Sequence, residues 1–224
     1  MELTVIGCSG SVSGPESPGS CYLVQAPDGD RTFSLVLDMG AGAFGGLYQA
    51  LDPSEIDAVG LSHLHPDHCI DLCALYVGAR YSPTAPWPTQ TIYGPTGTAA
   101  RIRRAYEAPA TNEPGPGIAE QFTYVDWQPA QRIGPFEVTT TRVAHPVEAY
   151  AIRVTDTNPG GGSLVYSGDT GPSPALVSIA ENADLLLVEA SFLDIPGNPT
   201  GLHMNGREAA AAGAAAVAAQ GAKK

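Results

Sequence analysis

Residues 62–68, Ser62-His63-Leu64-His65-Pro66-Asp67-His68, are the stretch that decides the fold. An apolar run at 58–61 precedes it and predicts a strand, and the spacing of apolar residues over 69–77 predicts a helix. Pro66 suits the first turn of that helix, where its missing N–H leaves no helical hydrogen bond unmade. The stretch therefore occupies a loop that leads from a strand into a helix.

This loop has the pattern H-x-H-x-D-H, which is typical of a metal site. His63 and His65 lie on the same side of a strand end because side chains alternate along a strand. Asp67 and His68 follow the turn and face the same region. Imidazole and carboxylate ligands together favour zinc, manganese or iron over calcium or magnesium. A histidine-rich surface turn is the alternative interpretation.

Two later motifs also follow predicted strands, where the sites of layered α/β proteins gather. Val143-Ala144-His145-Pro146 follows a strand at 136–143, and Tyr166-Ser167-Gly168-Asp169-Thr170-Gly171 follows one at 164–166. A histidine before proline is often structural, and a glycine-flanked aspartate is often a polar turn. Their order after H-x-H-x-D-H favours His145 and Asp169 as further ligands.

The rest of the chain alternates short strands with helices, which predicts a layered α/β domain. Asn205 and Glu208 form a capping-box pattern before an alanine-rich helix. The apolar run at 183–188 predicts a central strand. Further strands are predicted at 3–6, 21–25, 33–37, 91–93 and 149–154, and helices at 42–51, 97–106, after Pro174 and at 206–220.

Composition limits the class of protein. The 224 residues carry 11 Lys and Arg against 23 Asp and Glu, a formal charge of −12, and 43% are hydrophobic. Such a chain can bury a full core, so we expect one domain over 1–224 rather than a disordered acidic chain. No apolar run spans a membrane, and no secretory leader begins the chain, so we expect a cytoplasmic protein without a membrane partner.

The four cysteines, Cys8, Cys21, Cys69 and Cys73, are too few for a disulfide scaffold and predict buried free thiols. Cys69 and Cys73 would share one helix face beside the histidines. Core packing is the better explanation for this pair, and oxidisable neighbours of a metal site are the alternative.

At this point the sequence resembles the metallo-β-lactamase superfamily, and within it the branch of tRNase Z and related phosphodiesterases. It is most similar to actinobacterial proteins described as atypical class II cyclic-AMP phosphodiesterases. True β-lactamases of subclass B1 carry a cysteine at the position of Asp169, which argues against lactam hydrolysis. Besides the three motifs above, the resemblance rests on 5–11, Leu37-Asp38-Met39-Gly40, Gly14-Pro15 with Ser17-Pro18, Val188-Glu189-Ala190-Ser191 and Leu202-His203-Met204.

The resemblance implies a four-layer αββα sandwich that holds two divalent ions, with zinc expected and manganese or iron as alternatives. It implies that Asp38 orients a ligand and that Glu189 supports His203. A further family ligand, a histidine, follows the last helix on a strand that would begin near residue 222. We therefore expect a C-terminally truncated chain without its last strand, the alternative being a complete chain that uses His203 or water. The implied ligands are His63, His65 and His145 for the first ion, Asp67 and His68 for the second, and Asp169 between them.

The implied activity is phosphodiester hydrolysis, with a 3′,5′-cyclic nucleotide such as cyclic AMP as substrate and the 5′-monophosphate as product. Asp67 is expected to be catalytic, and His203 to protonate the leaving oxygen, unless it is structural. Two ions raise the charge only to −12 + 4 = −8, and basic residues are scattered, so extended nucleic acid is a weak candidate.

The sequence allows more than one interpretation of the pocket and of the reaction. The irregular segment 81–116, with Trp87 and Tyr93, would cap the pocket and stack a base, or these rings pack in the core. A tRNase Z-like 3′-end endoribonuclease and a lactone or thioester hydrolase are the alternative enzymes. A metal-binding scaffold is the alternative without activity. Members of the family often form homodimers, and the resemblance extends that expectation to this chain.

Overall fold

The computed structural model describes residues 1–107 and 117–221, and these form two compact units. The first unit comprises 2–127, and the second comprises Met1 and the residues from Gln128 onward. Each unit is built on one β-sheet flanked by helices. This is the mixed α/β architecture that the sequence predicts, whereas the single domain expected over 1–224 stays a prediction.

Within the residues that the structure describes, the sheet of the first unit has six strands in chain order. Strands β1 to β3 are antiparallel, and β3 to β6 are parallel, so helices connect the later strands. The strands are β1 (Glu2–Gly7), β2 (Cys21–Asp28), β3 (Arg31–Leu37), β4 (Ala58–Gly60), β5 (Thr91–Gly94) and β6 (Thr123–Asp126). The helices are α1 (Ala43–Leu47), α2 (Pro66–Cys69), α3 (Leu72–Tyr81), α4 (Thr98–Tyr106) and α5 (Ile118–Gln121), with a 3₁₀ turn at Pro53–Glu55.

Helices α1, α3, α4 and α5 pack on one face of this sheet and form its apolar core. Trp87 belongs to that core, and its Nε1–H donates to Thr84 Oγ1 at 2.9 Å. Burial removes Trp87 from any role in stacking a substrate base, so the packing alternative is correct for this ring. Tyr93 stacks on Trp127, with 5.7 Å between ring centroids.

In the described part of the second unit, the sheet has five strands in the order β11-β10-β9-β8-β7. Strands β7 to β10 are antiparallel, and β11 is parallel to β10. The strands are β7 (Ala130–Ile133), β8 (Phe136–Arg142), β9 (Tyr150–Asp156), β10 (Ser163–Tyr166) and β11 (Leu185–Leu187), and the helices are α6 (Pro174–Ala180) and α7 (Gly206–Gly221).

Helices α6 and α7 pack on this second sheet through Leu176 and Ala216, and Met204, which precedes α7, belongs to the same core. The predicted capping box of α7 is confirmed. Asn205 Oδ1 accepts from the N–H of Glu208 at 2.9 Å, and Glu208 Oε2 accepts from the N–H of Asn205 at 2.9 Å. None of the helices in the described ranges is long and apolar enough to cross a membrane.

The helix predicted over 69–77 is instead two helices, α2 and α3. The N–H of Asp71 donates to the carbonyl of Met39 at 3.1 Å rather than to its own helix. That tertiary hydrogen bond breaks the helical ladder between Cys69 and Leu72. Local apolar spacing does not register this break because the carbonyl comes from a distant segment.

The strand predicted to be central, β11, lies at the edge of its sheet within the described residues. Leu185 is 48% exposed there. An apolar run does not indicate how many strands lie on either side of it, nor that all of its side chains are covered. Strands β6 and β7 are not predicted from the sequence because they are short and carry polar residues.

Residues 108–116 of the predicted irregular segment, and the start of the expected final strand at 222, lie outside the described residues.

We expect the four cysteines to differ sharply in reactivity. Cys8 is exposed, contrary to the expectation that all four thiols are buried, whereas Cys21 and Cys69 are fully buried. Burial raises the pKa of Cys69 to about 12, so about one thiol in 10⁴ is ionised at pH 8. Iodoacetamide at pH 8 should modify Cys8 in the folded protein and spare Cys21 and Cys69, as peptide mass spectrometry would show. Equal labelling of Cys69 before and after denaturation would contradict its burial.

Candidate metal centre

In the first unit, the candidate residues follow parallel strands that end at the same edge of the sheet. Leu37 of β3 lies opposite Gly60 of β4, so Asp38 and the loop from Leu61 begin side by side. The N–H of Asp38 donates to the carbonyl of Gly60 at 3.0 Å, which extends the ladder by one residue. The sheet therefore brings Asp38 beside the H-x-H-x-D-H loop.

Asp38 is fully buried and adopts a left-handed backbone conformation, with φ of 57°. This conformation is uncommon for a residue with a Cβ. It turns the chain so that the N–H of Met39 donates to the carbonyl of His68 at 2.8 Å. Asp38 Oδ2 also accepts a hydrogen bond from His68 Nδ1 at 2.7 Å. Backbone and side chain together fix the loop against the end of β3.

The three histidines of this loop cluster tightly. The ring of His63 lies 4.8 Å from that of His65 and 4.2 Å from that of His68. His63 Nε2 and His65 Nδ1 are 3.0 Å apart. Two nitrogens bound to one tetrahedral zinc at its usual bond length lie ~3.3 Å apart, so this pair fits a shared ion with little movement. Asp67 Oδ2 lies 3.6 Å from His68 Nε2.

In the second unit, the candidate residues also share one sheet edge. Tyr166 of β10 lies opposite Leu187 of the parallel strand β11, so Asp169 and Glu189 follow the two strands at the same end. His145 lies between the paired strands β8 and β9, in the connection at this same edge. Strand topology thus explains why residues far apart in sequence come together.

Glu189 anchors this second group. Its carboxylate accepts hydrogen bonds from the N–H of Thr170 at 2.7 Å and of Ser191 at 3.1 Å. It also accepts from His203 Nδ1 at 3.0 Å. One possible ligand atom from each of Asp169, Glu189 and His203 lies within 4.8 Å of the others. This unit therefore holds a second set of groups able to bind a cation.

His145 is oriented by the backbone. Its Nδ1 donates to the carbonyl of Leu202 at 2.9 Å, which leaves the lone pair on Nε2 for a metal ion. The rings of His145 and His203 lie 5.7 Å apart. A cavity of about 290 Å³ lies beside His203, lined also by Asn198, Thr200, Glu208 and neighbouring glycine and proline residues.

The donor chemistry fits divalent transition metals. Each unit offers imidazole nitrogens and carboxylate oxygens, and hydrogen bonds at Nδ1 orient the rings of His68, His145 and His203. The structure groups His63, His65, Asp67 and His68 with Asp38 in the first unit. It groups His145, Asp169, Glu189 and His203 in the second. Every residue proposed from sequence as a metal ligand, or as a support for one, thus belongs to one of two groups at sheet edges.

Two residues that hold the first group, Trp127 and Arg101, had no signal in the sequence. Trp127 Nε1–H donates to the carbonyl of Leu61 at 2.8 Å, and Arg101 Nε–H donates to that of Leu64 at 3.2 Å. Both bonds end on backbone carbonyls, which every residue carries. No pattern of side chains could have indicated them.

Two helix-flanked sheets with imidazole and carboxylate groups at the strand ends define a metallo-hydrolase of the metallo-β-lactamase fold. The chain belongs to the β-lactamase superfamily, because residues 35–222 match the model described as "Beta-lactamase superfamily domain". The match runs across both units.

Relatives agree with this membership. The Mycobacterium leprae protein ML1173 is 44% identical over 218 residues, which cover 96% of this chain and 74% of that protein. The probable metallo-hydrolase YhfI of Bacillus subtilis is 32% identical, over 93% of this chain and 80% of its own. The crystal structure of YhfI matches with a TM-score of 0.77 at 30% identity, over 96% of this chain and 81% of that chain.

A solved structure of lower sequence identity is similar to this chain in fold only. The short form of human tRNase Z matches with a TM-score of 0.73 at 20% identity, over 96% of this chain and 89% of that chain.

Gly40 should be intolerant of any side chain. A Cβ there would overlap the carbonyl oxygen of Asp67 and meet backbone atoms of Gly19 and Ser20, none of which can swing away. We expect Gly40→Ala to lower the free energy of unfolding by about 1–3 kcal/mol, measured by urea denaturation. Gly45→Ala is the control, because its Cβ would meet nothing within 4 Å in helix α1, and it should stabilise slightly. Equal stability of the two variants would contradict the close packing at Gly40.

Proposed function

We propose that this metallo-hydrolase is a dinuclear phosphodiesterase that acts on a small phosphodiester, a 3′,5′-cyclic nucleotide such as cyclic AMP. The observation that carries the proposal is the cluster of His63, His65 and His68 beside Asp67, held by the buried carboxylate of Asp38. Such a cluster is prepared to bind cations before any substrate arrives. The motifs that resemble the phosphodiesterase branch support the choice of reaction.

The proposed ligands follow the resemblance. His63, His65 and His145 would hold one ion, Asp67 and His68 the other, and Asp169 would contact both. Zinc suits this set best, and manganese and iron suit it as well. Divalent ions there would supply Lewis-acid chemistry, which lowers the pKa of a water nucleophile and neutralises phosphate oxygens.

Charge and space support a small substrate. The protein carries a formal charge of −12, so its long-range field does not gather a polyanion such as tRNA. The cavity of about 290 Å³ beside His203 suits part of a small molecule. Glu208 contributes a carboxylate to its lining, which disfavours a second phosphate there.

His203 is the proposed proton donor to the leaving oxygen. Glu189 Oε1 accepts the Nδ1–H of His203, which directs Nε2 away from the carboxylate. Phe192 packs edge-on against the imidazole at 5.0 Å and restricts its rotation. The ring is therefore held in one orientation, as proton transfer to a bound substrate requires.

A panel of substrates tests the proposal. The metal-loaded protein should hydrolyse cyclic AMP, cyclic GMP or bis(p-nitrophenyl) phosphate, and leave pre-tRNA and a lactone unchanged. His65→Ala and Asp169→Ala should abolish this turnover because each removes a proposed ligand. Asp30→Ala, which removes an exposed carboxylate in the turn after β2, should not.

The other outcomes separate the alternatives. Cleavage of pre-tRNA in preference to cyclic nucleotides would indicate an endoribonuclease, and turnover of the lactone alone would indicate a different hydrolase. A protein that binds metal but turns over none of these substrates would be a metal-binding scaffold without activity. Undiminished rates in both ligand variants would remove His65 and Asp169 from the site.

Replacing His203 should separate proton donation from metal binding. We expect His203→Ala to lower kcat for a cyclic nucleotide by about 10²- to 10⁴-fold with metal content retained. Bis(p-nitrophenyl) phosphate should lose far less, because p-nitrophenolate departs without a proton. Arg207→Ala, at an exposed ion pair with Asp194, is the control. Loss of metal from His203→Ala would make this residue a ligand instead.

A further inference from the structure

The hydroxyl of Ser62 lies between a carboxylate and an imidazole in the first unit. Ser62 Oγ is 2.7 Å from Asp38 Oδ2 and 3.0 Å from His63 Nδ1. All three side chains are fully buried, so water does not compete for these hydrogen bonds. A serine enclosed in this way has one proton to donate and lone pairs to accept with.

The direction of each hydrogen bond follows from chemistry. A carboxylate only accepts, so Ser62 Oγ–H donates to Asp38 Oδ2. The hydroxyl proton is then committed, and Ser62 Oγ meets His63 Nδ1 with a lone pair. His63 must therefore carry its ring proton on Nδ1, which leaves the lone pair on Nε2.

The same carboxylate controls His68. Asp38 Oδ2 accepts directly from His68 Nδ1 at 2.7 Å, so that ring also keeps its lone pair on Nε2. Asp38 Oδ1 accepts the N–H of Ser62 at 2.7 Å, which fixes the carboxylate plane. One buried carboxylate thus fixes the tautomers of two imidazoles, that of His68 by direct contact and that of His63 through the Ser62 hydroxyl.

We propose that Ser62 is a positioning residue for the metal centre. Its hydroxyl donates to the Asp38 carboxylate and accepts from His63, and this relay of hydrogen bonds fixes the His63 tautomer that presents Nε2 to a cation. The role of this relay rests on the proposed metal binding. The tautomer itself is a property of the metal-free protein, so it can be tested whether or not the protein is a phosphodiesterase.

Loss of the hydroxyl has a specific consequence. Without Ser62 Oγ, the Nδ1–H of His63 loses the hydroxyl that accepts it in a buried setting, which is costly. The ring then gains by moving its proton to Nε2, where His65 Nδ1 lies 3.0 Å away and can accept it. A proton on Nε2 occupies the position of a metal ligand, so binding a cation requires His63 to return that proton to an Nδ1 that has lost the Ser62 hydroxyl.

The test combines a structural and a thermodynamic measurement on the full chain. Ring ¹⁵N chemical shifts of the five histidines in the metal-free protein report which nitrogen carries the proton. Competition with a chromophoric chelator reports zinc affinity. The variants are Ser62→Ala, which removes the hydroxyl, and Ser62→Thr, which keeps it. Ser34→Ala is the matched control, because Ser34 is a buried serine of the same unit whose hydroxyl accepts from Gln25.

We expect His63 of the wild type to be protonated on Nδ1, and Ser62→Ala to move that proton to Nε2. His68 should keep its Nδ1 proton in the same variant, since Asp38 contacts it directly. Zinc affinity should fall about 10- to 100-fold in Ser62→Ala, the range found for residues that orient metal ligands, and should recover in Ser62→Thr. Ser34→Ala should keep wild-type zinc affinity.

Three results would overturn the relay. One is a wild-type His63 protonated on Nε2, which needs no variant and so remains decisive if Ser62→Ala does not fold. Another is a Ser62→Ala protein with unchanged His63 shifts and unchanged zinc affinity. The third is a loss of zinc affinity in Ser34→Ala equal to that in Ser62→Ala, because general destabilisation would then explain both. Absence of phosphodiesterase activity would leave the tautomer result intact and would count only against the proposed function.

Discussion

The burial of the Asp38 carboxylate is the constraint on which the first unit depends. An ionised carboxylate in an apolar interior is costly unless hydrogen bonds replace its water. Asp38 receives them from the N–H and hydroxyl of Ser62 and from His68. The loop that carries the histidines can therefore adopt essentially one path, because any other leaves the buried charge unsatisfied. The left-handed backbone of Asp38 and the absence of a side chain at Gly40 follow from that path.

In the second unit a different carboxylate, that of Glu189, is satisfied by hydrogen bonds in the same way. Glu189 receives two backbone N–H groups, from Thr170 and Ser191, and the Nδ1–H of His203. Its place just after β11 matches that of Asp38 just after β3, where parallel strands end together. In both units a carboxylate at a strand end orients an imidazole from a neighbouring loop. Orientation by hydrogen bonds at Nδ1 is what makes Nε2 a good ligand or a good donor.

Sequence could predict the parts of this arrangement that depend on local pattern. The strand before His63, the capping box of Asn205 and the closeness of His63 to His65 follow from periodicity and cap chemistry. The break between α2 and α3 could not be predicted, since it depends on the carbonyl of Met39 from another segment. Sequence could not predict that Trp127 holds the Leu61 carbonyl or that the Leu202 carbonyl orients His145, because these contacts also join distant segments. The edge position of β11 is a matter of sheet order, which hydrophobicity does not encode.

The balance of charge links the proposed centre to the size of its substrate. Summed over the two groups, four carboxylates, Asp38, Asp67, Asp169 and Glu189, against two divalent ions would leave a formal charge of −4 + 4 = 0. The imidazoles add nothing to it, because a ring nitrogen that binds a metal ion carries no proton. The ions themselves would still attract a phosphate at contact distance, within the reach that salt leaves unscreened, about 8–10 Å. The chain as a whole is formally −12, so a long polyanion meets repulsion along most of its length. A single phosphodiester meets only the attractive part of the field, which is the physical reason to favour a cyclic nucleotide over an RNA.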